Sequence, residues 1–138
     1  MKLLFDFGLV VLIWIVQLII YPSFAYYADK DLLIWHQKYT LLITVIVLPL
    51  MLGQLILHGY AVYQNAELLS VTLLILVVST WVITFIWAVP LHTQIDQGVD
   101  LPKVVKNLVT VNWSRTIIWT LVFVIGLIHA IKNSTISY

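Results

Sequence analysis

Residues 68–90 read "LLSVTLLILVVSTWVITFIWAVP" and contain no charged side chain. At about 1.5 Å of rise per residue, roughly 20 apolar residues cross the ~30 Å hydrocarbon of a bilayer. Inside lipid the backbone finds no water, so such a run must close its hydrogen bonds internally as a helix. Three other stretches meet the same standard. They are about 7–28, from "FGLVVLIWIVQLIIYPSF" into "AYYA"; about 32–63, around "LLITVIVLPLMLGQLIL"; and about 103–131, with Arg115 in its interior. The connections are "DKD", "QNAE" and a longer one around "HTQIDQGVDLP". Short connections force neighbouring helices antiparallel. The expectation is an all-α fold: an integral-membrane, up-down-up-down four-helix bundle forming one domain over residues 1–138.

Charge and composition narrow the partners. Only 9% of the residues are charged and 62% are hydrophobic, against about 25% charged in a soluble domain. The mean hydropathy is +1.05, so the lipid bilayer is the expected surroundings, with a homo-oligomer left open. A net charge of +1 leaves no basic patch for phosphates, which argues against a nucleic-acid partner. The absence of cysteine excludes disulfides, iron–sulfur clusters and thiolate metal sites. The first span reads as a retained helix rather than a cleaved leader, because Asp6 spoils a positive n-region and the run is too long. Counting Lys30, Lys38, Lys103 and Lys106 against Lys2 and Lys132 places both termini on one side, outside the cytoplasm. Pro22 and Pro49 are expected to kink their helices, and Pro90 to weaken its helix just before His92. Asp100 reads as an N-cap ahead of Pro102. The third connection is expected to carry a short irregular or interfacial stretch around residues 91–101, "KNSTISY" reads as a frayed end, and Trp14 and Tyr138 as interface anchors.

Polar residues inside spans are costly and normally face the bundle interior. Helical spacing shows which can share a face. Gln17 and Tyr21 are four apart in the first span. His36, Thr40 and Gln54 lie near one line of the second, with His58 slightly off it. Trp81, Thr84, Ala88 and His92 follow in the third, and Asn112, Arg115, Thr116 and Trp119 in the fourth. Gln17, Tyr21, His36, Tyr39, His92, Asn112 and Arg115 fall toward the same end of an antiparallel bundle, and His58 and His129 toward the other. The expected pocket therefore joins His92 and Arg115, walled by Trp87, Trp113 and Trp119, with Asp96 as the protein partner of Arg115. The plainer alternatives are a snorkelling arginine and interfacial histidines.

In such a pocket Arg115 and Asn112 would stabilise an oxyanion while His92 or His36 moves protons. These four are the candidate catalytic residues. His36, His92, Trp119, Tyr21 and Gln17 are the candidates to contact a cofactor or ligand. Imidazoles on facing helices also permit heme, pairing His36 with His92 and His58 with His129, or one His-ligated metal ion. No HxxxH or HExxH spacing designates a metal site. Phosphate loops, nucleophile elbows and an intramembrane carboxylate pair are missing from the sequence.

The stretches "VPLHTQIDQG" and "NLVTVNWSRTIIWT" resemble the DUF1772 group of small four-span membrane proteins, which includes anthrone oxygenases. That resemblance rests on Pro90, His92, Asn112, Arg115 and Thr116, about a quarter of the chain. Residues 17–54, "QLIIYPSFAYY" and "HQKYTLLITVIVLPLM", are similar in outline to HemJ-type protoporphyrinogen oxidases. Both resemblances imply a small oxidoreductase of flat, lipophilic aromatic molecules. The alternatives are a non-catalytic heme or quinone binder and a structural or assembly subunit of a membrane complex.

Overall fold

The computed structural model describes residues 1–136, which are helical apart from Met1 and the connections at 27–28, 65–67 and 97–100. Four helices are long and apolar enough to cross a membrane. They are α1, Lys2–Tyr26; α2, Asp29–Gln64; α3, Leu68–Asp96; and α4, Leu101–Ile136. Among the described residues there is no strand. Both α1 and α3 pack between α2 and α4, so the four form a bundle. Leu18, Ile19, Leu41, Val45, Ile56 and Ile75 are all exposed on its outside, whereas Asp6, Gln17, His36, Gln54, His58, Asn112 and Arg115 are buried. That inverts the distribution of a water-soluble domain. It suits a solvent as apolar as leucine, where helices adhere through close packing and interhelical hydrogen bonds.

Close packing is most evident at Gly53 of α2, where an added Cβ would overlap the Phe5 ring of α1. Apolar clusters fill the interior between the polar layers. One joins Phe24, Leu32, Tyr39, Ile95 and Leu108, a second Leu9, Ile13, Met51 and Trp119, and a third Leu73, Val77 and Val122.

Two of the helices contain a widened turn. Val16–Ile20 in α1 and Thr84–Ala88 in α3 are π-helical, and each is followed two residues later by proline, Pro22 or Pro90. A proline ring crowds the carbonyl four residues back and supplies no N–H to it. Here those carbonyls belong to Leu18 and Ile86, inside the widened turns, where the Tyr21 and Val89 amides bond five residues back, to Val16 and Thr84. Each helix therefore absorbs its proline and continues. The expected weakening before His92 is thus replaced by a regular segment, Val89–Asp96, and only 97–100 of the expected irregular stretch is non-helical. Gly98 and Asp100 turn the chain there with φ of +69° and +37°. The Asp100 carbonyl accepts from the Lys103 and Val104 amides, opening α4. At the other end α4 is helical through Ile136. Tyr138 lies outside the described residues.

Candidate functional site

The widened turn of α1 ends beside Tyr21, and that of α3 ends one turn before His92. Across the bundle the Tyr21 hydroxyl lies 2.9 Å from His92 Nε2. His92 Nδ1 lies 2.8 Å from His36 Nε2, and His36 Nδ1 lies 2.7 Å from Asp96 Oδ1. The two imidazoles are stacked, with ring centres 5.0 Å apart. An Asp96 carboxylate only accepts, so His36 Nδ1 carries hydrogen, and a neutral His36 then accepts at Nε2 from His92 Nδ1–H. His92 Nε2 is left as the acceptor for the phenol. The whole line, Tyr21 O–H to His92 to His36 to Asp96, points one way. It starts at a buried phenol and ends at a carboxylate whose side chain is 36% exposed.

A second line starts at Arg115. Its Nη1 donates to Asn112 Oδ1 at 3.2 Å, Asn112 Nδ2 donates to Gln17 Oε1 at 2.8 Å, and Gln17 Nε2 donates to the Val109 carbonyl at 3.3 Å. Because a guanidinium has no acceptor, Arg115 fixes the orientation of both amides. The guanidinium also lies over the Trp119 ring, 5.0 Å from its centre. Among the described residues the ion pairs are His36–Asp96 and His58–Asp6. The expected Arg115–Asp96 pairing is therefore corrected: Asp96 is held by His36. Arg115 is buried, and its Nε–H has no protein partner.

These two lines meet at one cavity of about 250 Å³. Tyr21, Tyr39, His92, Asp96, Arg115 and Trp119 all contribute to its wall. It thus brings together His92, Arg115, Tyr21 and Trp119 from the sequence reading. His36, Asn112 and Gln17 stand behind that wall and orient it. Trp87 and Trp113 do not line it: both rings are exposed on the outside of the bundle. Trp113 packs edge-on against Trp14, 5.8 Å away, and Trp14 Nε1 donates to Thr120 Oγ1.

The heme and single-metal readings fit this arrangement poorly. Both nitrogens of His36 and both of His92 already take part in the hydrogen-bonded line. A metal bond would break it. Nor do His58 and His129 form the second histidine pair: His58 Nε2 contacts Asp6, while exposed His129 bonds Asn133.

Asp6 is the residue that the sequence reading missed. It is 1% exposed and its Oδ1 accepts from Gln54 Nε2 at 2.7 Å and from His58 Nε2 at 3.1 Å. Gln54 Oε1 in turn accepts from Trp119 Nε1 at 3.0 Å. A chain of contacts therefore runs from Asp6 through Gln54 and Trp119 to Arg115. The available signal was the spacing of Gln54 and His58 on one face of α2, which calls for a partner near the start of α1.

Comparison with protein-family models, curated proteins and solved structures finds no match.

Proposed function

We propose that this chain is a multi-pass integral-membrane oxidoreductase of the oxygenase type, acting on a lipophilic aromatic substrate in the Arg115–His92 cavity. Its helices run up-down-up-down, with both termini on the side away from the cytoplasm. The observation that supports an enzyme over a simple binder is the directed line from Tyr21 to Asp96. A buried acid–base group needs a route by which its proton reaches water, and this line supplies one.

The reaction that suits the pocket begins when an acidic O–H or ring C–H of the substrate gives its proton to the Tyr21 oxygen. The Tyr21 proton moves to His92 Nε2, that of His92 Nδ1 to His36 Nε2, and that of His36 Nδ1 to Asp96. Each imidazole ends neutral and the proton rests on the exposed carboxylate. Arg115 holds the substrate oxyanion, in a site where low dielectric makes a fixed donor most effective. The oxidant is dioxygen. For a ring methylene the balance is CH2 plus O2 giving C=O plus H2O, with the substrate carbon oxidised and dioxygen reduced.

The test is oxygen uptake by the protein in nanodiscs, supplied with an anthrone-type aromatic ketone. Tyr21→Phe and His92→Phe should each lower turnover by about 10²-fold or more. Uptake unchanged in both variants would refute the relay. The quinone-binder reading shares Arg115 and the cavity but not the relay. It predicts ring binding without turnover, insensitive to both substitutions. Topology is tested by cysteines at positions 2 and 133, which should label from the same side of the membrane; the natural chain has no cysteine to interfere.

A further inference from the structure

The cavity is partly open at the side of the bundle. Its exposed lining residues are Thr44 on α2 and Val89, Thr93 and Asp96 on α3, so its mouth is a slot between these two helices. Next to the slot, the widened turn Thr84–Ala88 packs on α4. Thr44 lies eight residues from His36, about 12 Å along the helix, deep in the apolar part of α2. Thr40 and Thr44 turn their hydroxyls back onto the His36 and Thr40 carbonyls, and Thr93 onto Val89, so these threonines offer the rim no free donor, and its one charged group, Asp96, lies at the end next to the 97–100 connection. Thr40 and Thr44 also border an apolar groove that continues along the outside of α2 over Leu41, Val45, Leu48 and Pro49.

We propose that the substrate is a ring lipid that enters sideways from the bilayer, its ring held at Arg115 and His92 and its alkyl tail leaving between Thr44 and Val89 to lie along the α2 groove. This rests on the function proposed above and names its substrate class: a phenol, quinol or related aromatic head on a hydrocarbon tail. The volume supports this. About 250 Å³ is below the ~300–1,000 Å³ of sites that enclose a whole drug-sized molecule, so a head fits and a tail must go elsewhere. The slot's continuity with the groove says where.

The experiment measures binding in nanodiscs by quenching of tryptophan fluorescence. Two probes are used, a hydroxynaphthoquinone bearing a long alkyl chain and the same ring without it. Comparing variants with one probe in one bilayer cancels partitioning. Thr44→Trp fills the slot from an exposed position and should weaken the tailed probe about ten-fold, or ~1.4 kcal/mol. Ile46→Trp, on an exposed face of α2 away from slot and groove, should change nothing. Arg115→Leu should weaken both probes. If Arg115→Leu impairs binding while Thr44→Trp leaves the tailed probe at wild-type affinity, the sideways entry is wrong and the site stands. If neither probe binds the wild type, or Arg115→Leu binds as the wild type does, the site fails and the entry route with it.

Discussion

Removing the Asp6 carboxylate should destabilise the bundle far more than its place near the chain start suggests. Asp6→Ala deletes the acceptor of two donors, Gln54 Nε2 and His58 Nε2, on residues that are 1% and 2% exposed. Interhelical hydrogen bonds in membrane proteins contribute about 0.6 kcal/mol on average and up to ~1.7. Two such losses give about 1–3 kcal/mol. Asp6→Asn should behave differently. Its amide oxygen can still accept from Gln54, and its NH2 can donate to His58 once that imidazole moves its proton to Nδ1. The cost should then stay below ~1 kcal/mol. Equilibrium unfolding in mixed micelles, followed by helical circular dichroism, reads both variants on one scale. Trp119 fluorescence offers a second readout, since a loosened Gln54 no longer holds the indole N–H. The reasoning fails if Asp6→Ala and Asp6→Asn unfold together within ~0.5 kcal/mol of the wild type.

Arg115→Lys keeps a charge but loses the planar fork that orients Asn112, so it should impair ligand binding while the protein still inserts, as read by the quenching assay and by membrane fractionation. Arg115→Leu should leave stability unchanged or raise it, because a buried charge without a counter-ion is replaced by an apolar side chain; unfolding in micelles measures this. Gly53→Ala should cost about 1–3 kcal/mol through overlap with the Phe5 ring, and Phe5→Leu should recover part of that loss in a double-mutant cycle. His129→Ala should be within ~0.5 kcal/mol of the wild type, because its side chain is exposed, whereas His58→Ala should lose stability through its Asp6 contact.

What the sequence alone determined is the four apolar helices. Twenty-residue runs in lipid have one economical way to satisfy their backbone, and that constraint acts locally, so it can be read without knowing any neighbour. The convergence of His92, Tyr21 and Arg115 was also legible, because helical spacing and antiparallel height fix which polar side chains can meet. The partners of those side chains were not. Asp96 stands four residues beyond His92, on the same helix face, and only the approach of α2 decides that His36 takes it and Arg115 does not. The outward turn of Trp87 was hidden for a different reason. The face read from spacing holds across the widened turn, since Thr84, Ala88 and His92 all line the cavity, but Trp87 was placed with them by nearness in sequence, and one step along a helix moves a side chain about 100° around it. Asp6 was the deepest omission. A carboxylate six residues from the start of a chain resembles a solvated end, until packing α1 against Gln54 and His58 encloses it. Hydrogen-bond partners and burial belong to pairs of helices, so they exist only once the bundle has formed.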